Sequence, residues 1–170
     1  MLLQHYKRNR MKIIELFYEK VLREDVPYYA KYSLFIIVMK PIKKFLNIVI
    51  IPNVPFLRLR VALYRLIGFK IGKKSDIGMK CYLDEIDPSK LIIEDNVTIS
   101  CNCYFTCHGK GQSHTEIVIK EGTYIGMRVN VVSGKRGVVI GKNVIVGAGS
   151  LVNRSIPDNS TVVGVPARVI

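Results

Sequence analysis

With 170 residues, 49% of them apolar, the chain has enough material for one packed domain and at most a small appendage. It carries 26 Lys and Arg against 13 acids, yet no uninterrupted apolar run reaches the roughly 18 residues of a membrane span. Residues 33–51 come nearest and are broken by Lys40, Pro41, Lys43 and Lys44; no apolar run with a small-residue cleavage site opens the chain either, so a cytosolic protein is expected.

The charge is unevenly spread. Residues 1–70 hold 14 cations against 4 acids, and residues 71–170 hold 12 against 9. The basic character therefore belongs to the N-terminal part. In residues 1–25, Ile13, Ile14, Leu16, Phe17, Val21 and Leu22 fall near helical spacing with charged residues between them, and Pro27 ends the predicted helix. Residues 29–51 predict a second helix, broken or kinked at Pro41. Pro52 and Pro55 mark a turn. A third helix is expected from Phe56 to Leu66, stopped by Gly68. Helices that mix Leu, Ile and Phe with Lys and Arg suit an anionic membrane surface, so residues 1–68 are expected either to touch a membrane or to cap the first turn of the remaining chain. No nucleic-acid motif accompanies the charge, and nucleic acid is not expected as a partner.

From Ile71 onward a six-residue unit recurs, with an aliphatic residue first and a small residue four places on. It reads Ile71-Gly-Lys-Lys-Ser75, Ile77-Gly-Met-Lys-Cys81, Ile125-Gly-Met-Arg-Val129, Ile140-Gly-Lys-Asn-Val144 and Val146-Gly-Ala-Gly-Ser150. So short a period fits neither a helix nor an ordinary alternating strand; it marks a solenoid whose coils cover one another. The aliphatic positions group in threes: Ile71, Ile77, Leu83; Ile93, Ile99, Phe105; Ile119, Ile125, Val131; Ile140, Val146, Val152. Three units make an 18-residue coil of triangular section, while successive coils start 22, 26 and 21 residues apart. The largest excess falls at about 108–116, and a loop leaving a solenoid usually carries function. The Val163-Gly-Val-Pro-Ala167 stretch fits a terminating unit.

Cys81, Cys101, Cys103 and Cys107 are expected as free thiols. Their spacing lacks the two-residue gaps of structural zinc sites, and Cys81 and Cys103 fall in the small-residue slot, where a thiol serves as a small hydrophobe; no metal is expected.

The chain resembles the hexapeptide-repeat acyltransferases over about residues 58–170, most closely in Ile140-Gly-Lys-Asn-Val-Ile-Val-Gly-Ala-Gly-Ser150 and in the Val163-Gly-Val-Pro-Ala-Arg168 ending, which is similar to those of sugar O-acetyltransferases and serine acetyltransferases. Leu63-Tyr-Arg-Leu-Ile-Gly-Phe-Lys-Ile-Gly-Lys73 resembles the first coil of acetyltransferases of surface-polysaccharide synthesis. The resemblance implies a mainly β fold, a left-handed parallel β-helix over residues 69–170 preceded by an α-helical segment over 1–68. It also implies a homotrimer with sites between subunits, acetyl-CoA as co-substrate, and a histidine that takes the acceptor's proton during direct attack on the thioester.

Of His5, His108 and His114, the resemblance singles out His108 as that base, at a coil corner where the large loop begins. His114 faintly resembles the acceptor-binding histidine of serine acetyltransferases. Asn102 and Asp84, also at corners, are candidates to orient base or acceptor. Met127, Ala148, Asn153, Arg154 and Arg168 match positions that hold CoA in the family, cations suiting its phosphates. The implied activity is O-acetylation of a sugar of a bacterial surface polysaccharide or its precursor, on the inner face of the membrane or free in the cytosol. Alternatives are transfer to serine or to an amino sugar, or a non-enzymatic β-helix scaffold. The zinc carbonic anhydrases of the same fold need three histidine ligands, which the repeats do not supply.

Overall fold

The computed structural model describes residues 20–21, 34–84, 86–108 and 115–170. The chain divides into two compact units, residues 1–44 and 45–170. The first predicted helix, residues 1–25, lies outside the described residues except for Lys20 and Val21. Helix α1, Leu34–Phe45, continues through Pro41, so the expected break there does not occur. It passes into a wider π turn over Leu46–Ile50 and a 3₁₀ turn over Ile51–Asn53, where Pro52 needs no N–H partner. Among the described residues no helix is long and apolar enough to cross a membrane.

Helix α2, Leu57–Ile67, ends as the sequence predicts: Gly68 takes φ of 119° and returns its N–H to the carbonyls of Arg65 and Tyr64. Its inward stripe of Arg60, Tyr64 and Ile67 covers the open end of the first coil. The buried Arg60 guanidinium spends its donors on carbonyls, Nε to Ile77 O at 2.8 Å and NH1 to Val54 O. Tyr64 meets Phe69 edge-on at 5.6 Å. Burial drives the Tyr64 phenol well above its ordinary range; the nearby Cys81 adds to this and Arg60 opposes it. Asn47, on the π turn, donates from Nδ2 to Leu83 O at 2.7 Å, tying the helical entrance to the first coil.

The repeats form a parallel β-helix of three faces. Strands β1 (Lys70–Ile71), β4 (Leu91–Ile93), β7 (Ile117–Ile119) and β10 (Val138–Ile140) stack on the first face. The second carries β2 (Asp76–Ile77), β5 (Thr98–Ile99), β8 (Tyr124–Ile125), β11 (Ile145–Val146) and β13 (Thr161–Val163). The third carries β3 (Tyr82–Leu83), β6 (Tyr104–Thr106), β9 (Asn130–Val132) and β12 (Leu151–Val152). Register follows the aliphatic ladder read from the sequence, Ile71↔Ile93, Ile77↔Ile99↔Ile125↔Val146 and Leu83↔Phe105↔Val131↔Val152. Apart from the half-buried Ile71, every rung is buried, so the ladder is the core. The small-residue slot is buried too, including Ser75, Cys81, Val97, Cys103, Val129 and Ser150. Corners are turned by residues with positive φ, among them Lys74, Asn96, Asn102, Arg128 and Asn143. The terminating unit reverses direction: β14 (Arg168–Val169) pairs antiparallel with β13 and closes that face.

Candidate active site

The chemistry-bearing groups gather at the corner that follows the third face. Asp84 comes directly after β3 and His108 two residues after β6, so the in-register pairing of these strands sets them one coil apart on the same edge. There His108 Nδ1 lies 2.5 Å from Asp84 Oδ2. Asp84 is almost fully enclosed, its side chain 1% exposed, while 32% of the His108 side chain is open. The carboxylate is held from both sides: Oδ2 accepts the Cys107 N–H at 2.6 Å and Oδ1 the Ile86 N–H at 3.0 Å. A buried carboxylate so satisfied is fixed in direction. With the Nδ1 proton of a neutral ring donated to it, Nε2 is the nitrogen left to accept a proton, and the carboxylate can stabilise positive charge that develops there.

Next to His108, Cys107 is buried, and that burial with the neighbouring Asp84 carboxylate pushes its thiol up to about 12. It stays protonated near neutrality and is unfit as a nucleophile. Cys103 is likewise held well above the ordinary thiol range, first by its hydrogen bond with Cys81 and then by burial. Residues on either side of 109–114 meet here. Thr115 N–H donates to Cys107 O at 3.0 Å, and Thr115 Oγ1 lies 2.7 Å from both Ser133 Oγ and Gly134 O. One hydroxyl has one proton, so it donates to the Gly134 carbonyl and accepts from Ser133. His114 lies outside the described residues.

Sequence reasoning brings Asp84 and His108 forward separately; the structure joins them. Asn102 falls elsewhere, at the corner between β5 and β6, with φ of 58° and its N–H on Met79 O, a backbone reason for an Asn there. Met127 and Ala148 stack on that same edge, both outside the core, with Gly149 N–H donating to Met127 O at 2.8 Å. Asn153, Arg154 and Arg168 converge on a cleft of about 230 Å³ at the last coil, beyond β12. Ala148 precedes β12 and Asn153 follows it, so the two edges lie at opposite ends of the third face. Missed by sequence reasoning is the pair Tyr82 and Tyr104, stacked with ring centroids 6.1 Å apart on the face that leads to the dyad. A tyrosine before both Leu83 and Phe105 is the signal that could have found it. Among the described residues no cluster of three or more His, Cys, Asp or Glu is arranged to hold a metal ion.

In sequence and in fold the chain is similar to the hexapeptide-repeat acyltransferases. No protein-family model matches it. It is 29% identical over 137 residues to the Bacillus subtilis protein YvoF, which bears an acetyltransferase name, covering 78% of this chain and 77% of that one. It is 34% identical over 116 residues to galactoside O-acetyltransferase of Escherichia coli (60% of this chain, 56% of that one). Identity to serine acetyltransferase of Bacillus pumilus is 30% over 107 residues, 61% and 48% of the two chains. This chain thus spans only about half the length of the latter two. Among solved structures, a hexapeptide-repeat acetyltransferase from Vibrio cholerae complexed with acetyl-CoA shares the fold, with a TM-score of 0.61, 24% identity and coverage of 81% and 88%.

Proposed function

We propose that the protein is an acetyl-CoA-dependent O-acetyltransferase acting on a sugar hydroxyl of a bacterial surface polysaccharide or its precursor. The observation that carries this reading is the His108–Asp84 pair, since a sugar hydroxyl attacks a thioester only as its proton is removed. His108 Nε2 takes that proton while the acceptor oxygen bonds to the acetyl carbon. The carbon–sulfur bond then breaks, and the proton passes from His108 to the departing CoA sulfur. A backbone N–H of a coil holds the intermediate oxyanion. Cys107, protonated and buried, takes no acyl group, which favours direct transfer over a covalent enzyme intermediate.

Met127 and Ala148 would line the pantetheine arm, and Asn153, Arg154 and Arg168 the adenine and phosphates. A homotrimer would serve this division, with the dyad edge of one subunit facing the Met127–Ala148 edge of the next, since a single chain holds the two at opposite ends of its third face. The stacked Tyr82 and Tyr104 favour a sugar over serine as acceptor, because a pyranose offers C–H faces that pack on aromatic rings. We place His114 and Asn102 as acceptor contacts within this reading, and residues 1–68 in peripheral contact with the membrane that carries glycan intermediates.

Purified protein given acetyl-CoA and the organism's glycan is expected to release CoA. His108→Ala should lower turnover about 10²–10⁴-fold while leaving acetyl-CoA affinity unchanged in calorimetry. Full activity in the variant removes His108 from the mechanism, robust turnover of serine overturns the sugar assignment, and absence of saturable acetyl-CoA binding returns the protein to a scaffold role.

A further inference from the structure

Helix α2 shows three stripes. One is buried on the first coil. A second, Arg58, Val61 and Arg65 at i, i+3 and i+7, lines a cleft of about 570 Å³ whose opposite wall is the corner Gly72-Lys73-Lys74 with Asp95 of the next level. The third, Leu59 and Leu66, stands one residue on and so about 100° further round the helix. It is open, at 49% and 79% exposed, with Phe56 at 70% continuing it.

Charge in the cleft is one-sided. Arg58, Arg65, Lys73 and Lys74 face a single carboxylate, Asp95, and that carboxylate already accepts the Lys73 N–H at 2.7 Å. Arg65 is pinned to the wall by bonds from Nε to Ile71 O at 3.1 Å and from NH2 to Gly72 O. Such a cradle suits a phosphate, which accepts several charge-assisted bonds at once. Net charge argues against the chain as its own complement: residues 1–33 carry 7 cations against 4 acids, and a second copy brings a net +13. Apolar side chains beside the cations indicate that the phosphate carries a tail.

We propose that this cleft binds the phosphate group of a membrane lipid, with Leu59 and Leu66 resting against the lipid's apolar part. It gives the membrane contact of the proposed function a defined site and rests on that contact alone, not on the transfer chemistry. It is also separate from the proposed CoA cleft, which lies at the last coil.

The test uses the full chain, vesicles of phosphatidylcholine with and without phosphatidylglycerol, and inorganic pyrophosphate as a tail-less probe. The native chain is expected to sediment with the anionic vesicles only and to bind pyrophosphate in calorimetry. The triple variant R58E/K73E/K74E, with Arg65 kept because it holds the α2–coil junction, should lose at least about tenfold in both affinities. L59S/L66S should lose vesicle binding and keep pyrophosphate. Melting temperature and acetyl-CoA binding should stay native in both, which separates this result from any failure of the acetyltransferase reading. If the triple variant unfolds, the milder R58Q/K74Q should still lose affinity several-fold. Vesicle binding within twofold of native in a folded charge variant overturns the site. Pyrophosphate binding by the native chain without vesicle binding overturns the lipid as its source.

Discussion

At Asp84 a single carboxylate meets three groups: the His108 ring, the Cys107 N–H and the Ile86 N–H. Two of these hold the turn together and one is the proposed base, so a substitution here divides into two measurable effects. Asp84→Asn keeps the shape but turns one oxygen into a donor that faces a backbone N–H in either orientation, that of Ile86 or that of Cys107 together with the ring. Even in the orientation that keeps an oxygen towards Cys107 and the ring, the amide can no longer neutralise the imidazolium. A stability loss of about 1–3 kcal/mol is expected from the buried mismatch, read from denaturant unfolding. Turnover should fall by at least about tenfold, less than for His108→Ala, with acetyl-CoA affinity retained. Native turnover in Asp84→Asn would reduce the carboxylate to a turn-holding role.

Among the elements, some stacked turns depend on glycine for space rather than for unusual φ. A Cβ on Gly126 would sit 2.7 Å from Ala148 N and 2.8 Å from Val146 O, and both obstacles are backbone of the next coil. Coils spaced by hydrogen bonds cannot move apart to admit a methyl group without losing those bonds. Gly126→Ala is therefore expected to cost about 1–3 kcal/mol. Ile125→Val, one residue away in the core, should cost about 0.5–1.5 kcal/mol. Thermal melts of the two variants decide the order, and an unperturbed Gly126→Ala would mean that the coil yields at this corner. Helix α2 obeys a different rule, since its buried stripe is specified by what the first coil leaves uncovered.

For the whole molecule, the physical problem of any solenoid is how its ends are closed. One end is covered by the π turn and helix α2, whose Asn47, Arg60 and Tyr64 carry polar groups onto first-coil carbonyls. The other is closed by β13 and the antiparallel β14. Removing residues 161–170 would uncover the β11 edge and leave its backbone groups without partners. Truncation there is expected to lower the melting temperature and to produce concentration-dependent aggregation in light scattering. A truncated chain that stays native and disperse would show that β12 suffices as a cap.

The six-residue ladder is fully legible because each coil repeats one chemical demand: an aliphatic side chain inward, a small one four places on, and a left-handed or glycine corner between them. Nearest-neighbour stacking reads such a pattern directly, so the coils, their register and the Gly68 stop come from the amino acids alone. Position within a coil likewise brings His108 and Asp84 forward as corner residues. Their partnership is only one of several readings there, with Asn102 an equal candidate, because they stand 24 positions apart and meet only when β3 and β6 pair in register. The Tyr82–Tyr104 stack and the cationic cleft beside α2 share that origin. Local sequence determines which face a residue takes, but which faces meet is set by stacking and packing across the chain.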